Sequence, residues 1–109
     1  MAESNYILRY LPLFYEDLEK AVIYIAEKLM NPQAANELLD AVERAVWERV
    51  PVAESFEKVY SEKDRKYPYY RIYVKNYIVY YVVIHDEGLQ KIMEVRRIIY
   101  NGQNRESII

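Results

Sequence analysis

The stretch YYRIYVKNYIVYYVVI, residues 69–84, decides the fold. It reads as two strands joined at Lys75-Asn76: nearly every flanking residue is aromatic or β-branched, and Asn tolerates positive φ in a two-residue connection. That connection sets the pairing, with Val74 opposite Tyr77, Tyr73 opposite Ile78, Ile72 opposite Val79 and Arg71 opposite Tyr80. Cross-strand partners share a face. One face is then Tyr70, Ile72, Val74, Tyr77, Val79, Tyr81 and Val83, with no charge. The other carries Tyr69, Arg71, Tyr73, Ile78, Tyr80, Val82 and Ile84, and Arg71 is the single charge within the strands. The uncharged face is expected to receive the rest of the chain, and the face bearing Arg71 is expected to be open.

Working outward, Tyr6 to Tyr10 reads as a first strand ended by Pro12. Phe14, Leu18, Val22, Ile25 and Leu29 then recur at intervals of three and four, one face of a helix. Glu16, Asp17 and Glu19 lie early in it, where the helix dipole favours carboxylates. Asn31-Pro32 closes this helix and opens the next, with Asn31 as N-cap and Pro32 at the first position. Ala35, Leu38, Leu39, Val42, Ala45, Val46 and Trp47 carry the second helix to about Val50, and the short connection makes the two antiparallel neighbours. Met30 and Trp47 read as packing residues. Pro51 breaks the helix, a short strand is expected between Phe56 and Tyr60, and a charged loop, SEKDRK, fills residues 61–66. After the hairpin, Asp86-Glu87-Gly88 forms a turn and Lys91 to Tyr100 a last strand. Residues 101–109, NGQNRESII, are a polar tail, read either as a short helical turn or as a flexible segment.

The expected order is β-α-α-β-β-β: an α+β domain of two antiparallel helices on a small, mainly antiparallel sheet, occupying residues 1–109 as one unit. In the last strand, Met93, Val95, Arg97 and Ile99 hold one charge, whereas Ile92, Glu94, Arg96, Ile98 and Tyr100 hold two. The first set is therefore assigned to the helices, which puts Arg96 and Tyr100 on the open face with Arg71. A bulge would break this assignment.

At 109 residues the chain supports a single core, and 29% charged and 52% hydrophobic residues describe a globular domain. No apolar run approaches the ~18 residues of a membrane span, and MAESNY lacks the regions of a signal peptide. The absence of cysteine excludes disulfides and thiolate metal sites and fits a cytoplasmic protein. Residues 1–56 hold five Lys/Arg against ten Asp/Glu, and residues 57–109 hold ten against seven, so the hairpin half is the basic one. That bias is mild, and a normally solvated surface explains it as well as a phosphate-binding one.

Three segments together resemble a known family: the opening YILRYLPLFYEDLEKAVIYIAEKLMNPQAANELLDAV, the hairpin YRIYVKNYIVYYVV and the closing EVRRIIYNGQNRESII. The chain is similar to toxins of the RelE/ParE superfamily, from bacterial type II toxin–antitoxin (plasmid stabilisation or addiction) modules. The resemblance covers nearly the whole sequence and implies a RelE-like fold. It also implies either an mRNA interferase, a metal- and cofactor-free endoribonuclease acting on the ribosome, or an inhibitor of DNA gyrase. A catalytically silent module that only binds its antitoxin is the third reading. In each, the implied partner is a cognate antitoxin in a hetero-oligomer, with the ribosome and mRNA, or gyrase, as target, and no membrane.

Metal-free RNA cleavage needs a base near the 2′-hydroxyl, cations beside the phosphorane and an acid for the leaving oxygen. His85 is the single histidine, and its position at a strand end reads as a solvated turn. The resemblance assigns the work to Arg71, a bidentate phosphate clamp, to Arg96 beside it, and to Tyr100 as proton donor or base-stacking ring. Lys63, Arg65, Lys66, Tyr73 and Tyr80 are weaker RNA-contact candidates. Arg97 is read as structural or catalytic, with an ion pair to a helix carboxylate as its structural role. Stacking of Arg71 on Tyr73 and Tyr80, and capping of the sheet edge by Tyr100, are the competing structural readings. The closing Asn-Gly-Gln-Asn, where many ribonuclease members are basic, departs from the ribonuclease pattern, as does the acidic overall charge.

Overall fold

A computed structural model describes residues 6–59, 66–85, 88 and 90–103. Strand β1 (Tyr6–Tyr10) leads into helix α1 (Pro12–Ile23), which continues as a π-helical turn over Tyr24–Lys28. Helix α2 (Pro32–Arg49) follows, then a 3₁₀ turn at Val50–Val52, and strands β2 (Lys58–Val59), β3 (Tyr69–Val74), β4 (Tyr77–Ile84) and β5 (Lys91–Tyr100). The five strands form one mixed sheet in the order β1-β5-β4-β3-β2, with β1 parallel to β5 and the other pairs antiparallel. Among the described residues, no helix is long and apolar enough to cross a membrane.

Local chemistry explains the boundaries. Asn31 caps α2 by accepting a hydrogen bond from the Ala34 amide at 3.0 Å, with Pro32 at the first position, where no intrahelical donor is lost. The hairpin register is the expected one, from Tyr70 opposite Tyr81 to Val74 opposite Tyr77. Its left-handed residue is Lys75, at φ 53°, and not Asn76. The helices cover the face expected to receive them: Phe14, Ala21, Leu38, Val42 and Val46 pack with Tyr70, Ile72, Val74, Val79, Tyr81 and Val83. Met30 and Trp47 do not join them; both are exposed.

Two further expectations fail. The face bearing Arg71 is not open. Tyr69, Ile78, Tyr80, Val82, Ile84, Ile92 and Ile99 form a second buried cluster there, with Tyr80 only 1% exposed. Strand β4 is apolar on both sides, so it must be covered on both, as runs without polar alternation usually are. The last strand also changes parity. Val95 pairs with Tyr81 and Arg97 with Tyr80, so Arg96 is the extra residue of a bulge. Met93 and Val95 face the helices as expected, but beyond the bulge Ile98 belongs to the helix-side core and Ile99 to the second cluster, the reverse of simple alternation.

Candidate functional site

The bulge separates the residues that strand alternation had grouped. Tyr100 lies opposite Tyr77, on the helix side of the sheet, and their rings meet edge-on at 5.7 Å. It therefore does not share a face with Arg71. Arg71, Tyr80 and Arg97 instead form one row across β3, β4 and β5. The two arginine backbones stand two strand spacings apart, roughly 10 Å, with buried Tyr80 between them. The Arg71 guanidinium lies 5.7 Å from the ring centre of exposed Tyr73. Among the described residues Arg71 forms no ion pair. Its carbonyl accepts from Arg49 at 3.2 Å, which fixes the backbone beneath the side chain.

The arginines of β5 are held by carboxylates. Arg96 donates through Nε to Glu94 at 2.8 Å, and Arg9 binds the other oxygen of Glu94 through Nε at 2.8 Å and Nη2 at 2.6 Å. Arg97 grips Asp17 of α1 bidentately, at 2.6 and 2.9 Å, and the Ile98 amide also donates to Asp17 at 3.2 Å. Hydrogen bonding to Asp17 raises the Arg97 pKa above its ordinary value. The helix-carboxylate pair expected of Arg97 is thus present. Its parity argument is not, since Asp17 is reached where β1 has ended and the β5 edge is otherwise unpaired. Tyr80 packs edge-on against Tyr69, 5.7 Å between centres, and its burial leaves no ring face for a base. Lys66 is exposed, its ammonium 5.4 Å from the Tyr67 ring centre. Lys63 and Arg65 lie outside the described residues.

A groove of about 750 Å³ opens on the helix side, at the hairpin end of the sheet. It is lined by apolar Ala21, Ile25, Leu29, Ala34 and Leu38 and by Tyr24, Tyr77 and Tyr100, with Lys20, Lys75 and the Arg97–Asp17 pair. Burial raises the Tyr77 phenol above its ordinary pKa, and the phenols of Tyr100 and Tyr24 add to the effect, so the three hydroxyls are electrostatic neighbours. The sequence reading missed Lys20, Tyr24, Lys75 and Tyr77. A usable signal existed for Tyr77, whose partner across β5 becomes Tyr100 once a bulge is allowed, and for Lys20, three residues after Asp17 on the same side of α1.

At the opposite end of the sheet, Glu54 gathers three donors. Tyr6 Oη and Lys91 Nζ reach one oxygen, each at 2.8 Å, and His85 Nε2 reaches the other at 2.9 Å. His85 is therefore tied to the fold, not merely solvated. Burial, then the bond to Glu54, pushes the Tyr6 phenol up to about 12. Burial alone would raise Glu54, but the bonds from Lys91 and Tyr6 and the charge of His85 outweigh it and hold the carboxyl below its ordinary range. A depressed carboxyl stabilises the fold above its unfolded pKa and loses that contribution as pH falls through its folded one. The stability gap between the protein and Glu54→Gln is therefore expected to be present at about pH 5 and to close below about pH 4, read by urea denaturation at each pH. A gap that persists undiminished at about pH 2 would contradict the assignment.

Among the described residues, no group of three or more His, Asp or Glu is placed to hold a metal ion. The chain matches no protein-family model and no curated protein.

Proposed function

We propose that this protein is the toxin of a type II toxin–antitoxin module of the RelE/ParE superfamily, acting on translation through ribosome-bound mRNA and held in check by a cognate antitoxin. The observation that carries the reading is Arg71: a guanidinium without a carboxylate among the described residues, braced by its own backbone contact to Arg49 and in one row with Tyr80 and Arg97 across the sheet. A planar fork of this kind suits bidentate binding of a phosphate. Two helices on a five-stranded mixed sheet, in the order β-α-α-β-β-β-β with one strand more than the sequence order expected, are compatible with the RelE-like fold.

One observation favours a second reading, in which the same toxin binds DNA gyrase and cuts nothing. Tyr100, the proton donor that cleavage would use, stands on the far side of the sheet from Arg71. Induction of the chain alone in a bacterium separates the readings. Translation arrest with cut mRNA is the expected result; DNA damage and filamentation would transfer the proposal to gyrase, and unimpaired growth of cells holding folded protein would end it. Arg71→Ala is expected to weaken growth inhibition about tenfold or more, the loss of one charge-assisted contact of ~1.5–3 kcal/mol. Undiminished toxicity of a folded Arg71→Ala protein would remove Arg71 from the site.

A further inference from the structure

We propose that the groove at the hairpin end of the sheet binds a nucleotide, with its phosphate at Lys20 and Lys75 and its base against the tyrosines. The inference does not rest on Arg71, which lies on the other face of the sheet. Charge selects the ligand's head. Asp17, the one carboxylate lining the groove among the described residues, is neutralised by Arg97 and the Ile98 amide. Lys20 and Lys75 form no ion pair among the described residues. Among the described residues the groove is thus lined by two lysines without an ion-pair partner, in a chain whose net charge is −2.

Aromatic surface selects the body. Tyr24 and Tyr100 are 53% and 50% exposed, and both line the groove, so each offers accessible ring surface in a groove that also carries lysines. Nucleobases stack on such faces whatever their sequence, and phenol hydroxyls serve base edges or phosphate oxygens. The volume lies in the range of sites that enclose a small organic ligand. The helix is also locally unusual here. The Leu29 amide bonds the Tyr24 carbonyl, a π turn whose wider ring brings residues five apart onto one side. Tyr24 and Leu29 bracket that turn, and both line the groove. Such turns recur at functional sites.

The test uses the purified full chain, titrated with uridine monophosphate, uridine, inorganic phosphate and a six-residue glutamate peptide, followed by tyrosine fluorescence and calorimetry. The monophosphate is expected to bind at least about tenfold more tightly than any of the other three, because only it fills both halves of the groove. Tyr24→Ala and Lys75→Asn alter exposed side chains, and Asn tolerates the left-handed backbone of position 75. Each is expected to weaken binding about tenfold. Absence of nucleotide binding at millimolar concentration, equal binding of the glutamate peptide, or retention of affinity in both groove variants would overturn the proposal. A six-nucleotide uridine strand distinguishes the source of the ligand. Tighter binding than the monophosphate indicates a nucleotide within a chain; equal binding indicates a free one.

Discussion

Tyr81→Ala is expected to lower the folding free energy by about 3–5 kcal/mol, the range for truncating a large, fully buried aromatic residue. Tyr81 is inaccessible to solvent, at the centre of β4, where the sheet meets the end of α2. Its ring stacks on Tyr70, 5.1 Å between centres and 12° from parallel. Its hydroxyl donates to the Ala53 carbonyl at 2.7 Å and accepts from Arg49 Nη1 at 2.9 Å. Arg49 in turn lies 3.4 Å from the Phe56 ring centre and donates to the Arg71 carbonyl. One side chain thus ties Ala53 after the 3₁₀ turn, the exit of α2 and strand β3 together. Tyr81→Phe separates the two contributions: it keeps the stacking and leaves the Ala53 carbonyl without its donor, for a loss of about 1–3 kcal/mol. Urea denaturation at neutral pH measures both. A Tyr81→Phe protein as stable as the parent would show that the hydroxyl network is dispensable.

Glu94→Ala is expected to cost about 3 kcal/mol. Glu94 is the one buried charged residue among those described, 4% exposed, with Arg9 on one oxygen and Arg96 on the other. Removing one partner of a buried ion pair typically costs ~3–5 kcal/mol, because the remaining charge is left without compensation. The lower end applies here, since the Arg9 side chain is 41% exposed and can turn towards water. Arg9→Ala leaves Glu94 bound to Arg96 and should lose less than half as much. If both variants lose equally, the pair with Arg9 is the dominant contact and Arg96 is not anchored by Glu94. Growth inhibition by a stably folded Glu94→Gln protein then tests whether the anchored position of Arg96 matters to function.

The hairpin was legible because its register depends on local facts: a two-residue connection and strand-forming residues on both sides. The helices followed from their three-and-four spacing and from Asn31-Pro32. The candidate site was less legible. Alternation along EVRRIIY assumes a strict period of two, and one inserted residue shifts every later side chain to the other face. Two adjacent arginines followed by two adjacent isoleucines leave the pattern balanced between registers, so the sequence holds no local mark of the insertion at Arg96. The cover on the second face had a signal that went unused: β4 carries no charge on either side.

By itself, the sequence determined the elements, the dry face that takes the helices, and the presence of one arginine in the hairpin. Only the tertiary structure decided which residues meet. The bulge at Arg96 sent Tyr100 to the groove with Tyr77, and the end of β1 left a stretch of β5 edge for Asp17 to cap, drawing Arg97 with it. Glu54 found Tyr6, His85 and Lys91 only because β1, β4 and β5 end side by side. The physical reason is common to all three. Secondary structure is set by neighbours a few residues apart, whereas each of these clusters joins residues more than thirty positions apart or turns on a single inserted residue.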